Sequence, residues 1–193
     1  MKTKRIYLYI GGAAIVLLFI IVLYKQFTDN EEQLPEHLRK PLPDYPRPEF
    51  INHQKVGQLG SVHEHADIAI YVDGTQLDLS QLRYQLTDKF VHLEEGRGDV
   101  LHKHATGVTI GYFLSTLGFA FEGNCITFES RKLCDTTTKK LRVYVNGMLI
   151  DNYKDYEFFD LDKILVTYGE GSQEDIDRQL ASVTNNARIF SKK

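Results

Sequence analysis

Thiols are scarce in this chain. Its 193 residues include two cysteines, Cys125 and Cys134, and they are too far apart to form a C-x-x-C redox motif. No nucleophile elbow, H-E-x-x-H helix or phosphate loop occurs, so the common signatures of hydrolases, zinc proteases and nucleotide enzymes are missing. Basic charge is not in excess either. The formal net charge is −3 and no basic stripe is visible, which argues against a nucleic-acid partner. Proline is confined to one place, with all five residues between Pro35 and Pro48.

Charge is absent altogether from residues 6–24, IYLYIGGAAIVLLFIIVLY. At about 1.5 Å per residue this run reaches roughly 28 Å, close to the hydrocarbon thickness of a bilayer. A helix satisfies its own backbone hydrogen bonds, so such a run can cross lipid. Lys2, Lys4 and Arg5 precede it, which favours a cytoplasmic N-terminus (residues 1–5) and places the rest outside the cytoplasm. The competing reading is a cleavable signal peptide. Its apolar region is usually about 7–15 residues and ends in small residues. Here the small residues Gly11 to Ala14 lie in mid-span and the end is bulky, so a retained cell-membrane anchor is expected. Residues 25–50 then form a proline-rich linker. A polyproline II spacer is the plain reading, and a docking peptide for a partner is the alternative.

An α+β domain is expected over residues 51–170. Alternating runs at His65–Val72 and Leu141–Val145 are followed by Asp73-Gly74 and Asn146-Gly147, both strong type I′ hairpin signals. Setting IAIYVDGTQLD beside LRVYVNGMLID gives a weak internal repeat. A further hairpin pairs Phe90–Glu94 with Val100–His104, and Ile164–Tyr168 is a last strand. Thr109 caps a short helix with Ile110, Phe113, Leu114 and Leu117 as its stripe and Gly118 at its end. This pattern predicts a hairpin-rich, β-grasp-like sheet wrapped on one helix. Residues 171–193 read as a C-terminal helix and tail, with Ser172 as cap and Ile176, Leu180 and Val183 on one face.

Five of the seven histidines fall in a short window: His63, His65, His92, His102 and His104. Residues i and i+2 of a strand share a face, so His63 pairs with His65, and His102 with His104. Centring the middle turn on Arg97 sets His92 opposite His102, where Cβ atoms about 4.5–5.5 Å apart let imidazoles converge. Neutral imidazoles suit copper or zinc, whereas calcium and magnesium prefer oxygen. Glu64, Asp67, Glu94 and Asp99 are candidates for a further ligand or for orienting a histidine. Two plainer readings compete: histidines that hydrogen-bond the fold together, and a pH-responsive surface. Cys125 and Cys134 bracket two short strands with a turn near Glu129 to Arg131, and are expected to form a disulfide.

The stretches HEHADIAIYVDG, HLEEGRGDVLHKHATGVTIGYFLSTLG and DLDKILVTYGE together resemble a group of uncharacterised membrane-anchored extracytoplasmic proteins of archaea and small-genome bacteria. The resemblance runs from His63 to Glu170 and implies one module; it brings no established activity. Three expectations follow for function. The first is a metal-binding module that buffers copper or zinc or delivers it to a membrane complex. The second is a non-metal accessory subunit of a membrane assembly, and the third a zinc enzyme with an open three-histidine site and Glu94 as base.

Overall fold

The computed structural model describes residues 56–191, so the expected anchor and linker lie outside the described residues. Among the described residues no helix is long and apolar enough to cross a membrane. The fold is α+β. Ten strands among the described residues form two sheets: β1 (Glu64–Val72), β2 (Thr75–Gln76), β3 (Val91–His92), β4 (Val100–Lys103), β5 (Ala120–Glu122), β6 (Cys125–Phe128), β7 (Arg131–Cys134), β8 (Lys140–Val145), β9 (Met148–Leu149) and β10 (Lys163–Gly169). Among the described residues the α-helices are α1 (Ile110–Thr116), α2 (Gln173–Ser182) and α3 (Ala187–Phe190).

The main sheet runs β3-β4-β1-β10-β8-β9, with β2 paired to β1; β5, β6 and β7 form a second, smaller sheet. Strands β1 and β10 are parallel and central, matching Ile68 to Ile164 and Ile70 to Val166. Their neighbours β4 and β8 are antiparallel to them. Both repeat-like hairpins belong to this one sheet. Their turn residues adopt left-handed backbone, with φ of 50° at Asp73 and 79° at Gly74, and 52° at Asn146 and 82° at Gly147. That conformation is what a type I′ turn requires and what Asp-Gly and Asn-Gly supply most readily.

Helix α1 covers one face of the main sheet. Thr109 accepts from the Tyr112 amide at 3.1 Å, and Gly118 closes the end with φ 92°. Phe113, Leu114 and Ile110 pack on Ala66, Ile68, Ile70, Val145 and Val166 in the principal core. The opposite face carries a smaller apolar cluster, Ala69, Leu165 and Val183, with Tyr71, Tyr144 and Leu180 against it. Alternation along β1 therefore separates the two faces, as its period of two dictates.

Two expectations change. The strand expected over Phe90–Glu94 shortens to Val91–His92. Leu93 leaves the ladder because its carbonyl accepts from the Leu86 amide at 2.8 Å, and Glu95 turns the chain with φ 58°. The tail is two helices rather than one, and it packs on the domain. Ser172 caps α2 as expected, accepting from the Asp175 amide at 3.1 Å. Val183 then becomes extended, at φ −63° and ψ 121°. Buried Asp67 of β1 draws the chain back: its Oδ1 accepts from the Thr184 hydroxyl and from the amides of Asn186 at 2.7 Å and Ala187 at 3.2 Å. A strand carboxylate thus does the work of an N-cap for α3.

Candidate metal centre

The histidines sit on the face opposite α1, at one end of β1, β4 and β3. Strand order decides the matter, because β4 lies between the other two. His65 pairs with His102 across one ladder, and His102 with His92 across the next, so three imidazoles form a row. His63 and His104 flank the row, one position beyond β1 and β4.

The five rings close into a circuit. Ring centres are 4.7 Å apart for His63–His65, 4.7 Å for His65–His102 and 6.0 Å for His102–His92. They are 4.9 Å apart for His92–His104 and 5.0 Å for His104–His63. Spacing along the chain predicts a nucleus of His92, His102 and His104, with His63 and His65 in support. The tightest set is instead His63, His65 and His102, each with a potential ligand atom within 4.8 Å of the others. The exchange follows from register: all four residues of β4 pair with β1, whereas β3 pairs with β4 over two residues only.

Environment sets protonation. His65 and His102 are buried and His104 is half-buried. Burial pushes His102 down to about 4, well below the ordinary imidazole value. Burial, then the neighbouring His63, lowers His65; burial, then His92 and His63, lowers His104. All three are therefore neutral at pH 7, the form in which imidazole offers a lone pair to a metal.

Hydrogen bonds fix two of the rings. The Ser191 hydroxyl donates to Asp160 Oδ1 at 2.7 Å, so its lone pair faces His65 Nδ1 at 3.2 Å. His65 Nδ1 consequently carries the hydrogen and Nε2 is the lone-pair nitrogen. His92 Nδ1 lies 2.8 Å from the Asp88 carbonyl, which can only accept, so the same tautomer follows. Phe190 closes one side, its ring 5.7 Å from that of His65 and 5.4 Å from that of His102, with Arg97 over its outer face.

Of the four candidate carboxylates, Glu94 alone meets the imidazoles. Its Oε1 is 3.2 Å from His102 Nδ1 and its Oε2 3.4 Å from His92 Nε2. Asp67 caps the tail, Asp99 accepts from Asn186 Nδ2 at 2.7 Å, and Glu64 binds Lys103. Lys103 lies between the two histidines of H-K-H and points into the core. There its ammonium donates to Glu64 at 2.9 Å, Glu157 at 2.9 Å and the Phe158 carbonyl at 2.7 Å. Asp88, Asp160, Phe190 and Ser191 escaped sequence reasoning, and Ser191 carries no local signal, lying 126 residues from His65. Cys125 and Cys134 are joined as a disulfide across β6 and β7, in the smaller sheet.

Comparison with known proteins returned no match: no family model, no curated protein and no solved structure matches the chain.

Proposed function

We propose that this protein is a membrane-anchored extracytoplasmic module that binds copper or zinc through its histidine circuit and buffers the ion or passes it to a membrane complex. The observation that carries the metal reading is the convergence of His63, His65 and His102, each with a potential ligand atom within 4.8 Å of the others. Burial keeps His65 and His102 uncharged, and Ser191 directs the lone pair of His65 to Nε2. An imidazole set with no sulfur ligand suits Cu²⁺ or Zn²⁺. The topology reading rests on the uncharged run 6–24 and the cations before it. A β-grasp-like architecture is supported by the central parallel pair flanked by antiparallel strands, with α1 across one face.

The test uses the full chain, purified in detergent without a His tag, loaded with Cu²⁺ or Zn²⁺ and desalted. At least one ion per chain is expected; retention below about 0.1 equivalent overturns the reading. Protease added to intact cells should remove the C-terminal domain and spare the N-terminus. Protection of the domain would overturn the topology.

One observation favours a second reading. His65 bonds Ser191 and His92 bonds Asp88, contacts that also fasten the tail and β3 to the sheet. On that reading the histidines are fold staples of an accessory subunit, and a fixed set of partners would co-purify with a metal-free chain.

A further inference from the structure

The described residues begin at Val56, and the chain enters the fold beside the histidines. The Gly57 amide donates to the Thr106 carbonyl at 2.8 Å and the Gly60 amide to the His104 carbonyl at 2.7 Å. The same end of the sheet gathers exposed apolar side chains. Leu59 is 56% exposed, Phe159 53%, Ile189 59% and Leu161 42%. Each is fastened to the start of β1 or to the residues just after β4. The Leu161 amide donates to the His65 carbonyl at 2.7 Å. Asp160 Oδ1, between Phe159 and Leu161, accepts from the His65 amide at 2.9 Å, and from Ser191 at the end of the tail that carries Ile189. Leu161 adopts φ 67°, a left-handed backbone that leucine rarely takes. Exposed apolar area beside strained backbone marks an interaction surface. The opposite end of β1 is polar: Asp73 there binds Arg131 at 3.1 Å and Lys139 at 2.8 Å.

Resting on the anchored topology proposed above, we propose that this end of the domain docks on the bilayer surface, with Leu59, Phe159, Leu161 and Ile189 seated at the boundary of headgroups and acyl chains. The tether favours lipid over a protein as the occupant. The uncharged run lies at residues 6–24, and the chain that follows it joins the domain at this end. Roughly thirty intervening residues give an effective concentration on the order of millimolar at the surface, so a few weak apolar contacts suffice. Charge agrees. Arg188 is exposed beside Ile189, and Lys192 and Lys193 follow in sequence, a set suited to anionic headgroups. The neighbouring acids are engaged within the fold, Asp160 by His65 and Ser191, and Asp162 by Asn146 and the Phe159 amide. Docking holds the histidine circuit at headgroup level.

The chain has no tryptophan, so a single introduced one reports alone. Phe159→Trp, Ile189→Trp and, next to Lys139 at the opposite end, Thr138→Trp are each made in the full chain. The variants are reconstituted in phosphatidylcholine–phosphatidylglycerol vesicles with plain or brominated acyl chains. A side chain about 5–10 Å into the boundary lies within reach of the bromines, so emission from the Phe159→Trp and Ile189→Trp reporters should fall roughly twofold. The Thr138→Trp reporter should not change. No quenching at the first two assigns the patch to a protein partner and overturns the proposal. Equal quenching at Thr138→Trp shows no preferred face and also overturns it. Alkaline washing of the vesicles tests the anchor separately. A chain that is stripped off removes the topology reading and this one together, whereas a retained chain with unquenched reporters removes this one alone. If Phe159→Trp fails to fold by circular dichroism, the Ile189→Trp reporter decides.

Discussion

The two faces of β1 are built from alternate residues of one strand and differ in nearly every physical respect. Toward α1, Ala66, Ile68, Ile70 and Val72 enter the principal core. Toward the tail, His65 meets imidazoles, Asp67 meets capped amides and Ala69 joins the small apolar cluster with Leu165 and Val183. The apolar face holds by area, in proportion to the surface it removes from water. The tail face buries polar groups, and each of these has to find a partner. The first face can therefore lose a side chain and keep its geometry. The second depends on a chain of named contacts running from Asp67 to Asn186 and from His65 to Ser191.

The comparison breaks most forcefully on the apolar side. Phe113 is fully buried, and Phe113→Ala should cost about 3–5 kcal/mol in denaturant unfolding. Metal bound per folded molecule should not change. Next comes Asp67→Ala, which strands the amides of Asn186 and Ala187 and should cost about 2–3 kcal/mol. Its signature is local: faster hydrogen exchange at residues 186–190, with α1 still protected. Acid provides a graded version. His102 is lowered to about 4 in the folded state, against an ordinary value near 6.5. The unfolded chain thus binds more protons between those values, so stability is full above about pH 6.5 and is lost as pH falls toward 4. By about pH 5.5 the loss from this group is on the order of 1 kcal/mol, measurable as a falling melting temperature, and His65→Leu with His102→Leu should flatten it. The smallest effect on stability belongs to Ser191→Ala, within about 0.5 kcal/mol. Removal of the group that orients His65 should nonetheless weaken metal affinity about tenfold or more, read by competition with a chromophoric chelator.

Local chemistry is legible in the amino-acid order itself. Asp73-Gly74 and Asn146-Gly147 announce hairpins, Thr109 and Ser172 announce helix starts, and turn arithmetic around Arg97 sets His92 opposite His102. Long-range pairing is not legible in the same way. Nothing near His63 or His65 says that β4 lies beside β1, and that adjacency is what shifts the tightest ligand set to His63, His65 and His102. The break at Val183 is hidden for a similar reason, since the carboxylate that captures the following amides is Asp67, more than a hundred positions earlier. Lys103 shows the limit of alternation. Period two places it opposite His102 and His104, but its acceptors Glu64 and Glu157 come from two distant segments.

The Cys125–Cys134 disulfide has a consequence beyond bracing the smaller sheet. These are the chain's only cysteines, so with the bond closed no thiol is present. Free thiolates reduce Cu²⁺ and are oxidised in turn, while an imidazole site has no such electron source of its own. Copper held among these histidines would be insulated from self-inflicted redox cycling. A reductant strong enough to open the disulfide would end that protection without touching a single ligand.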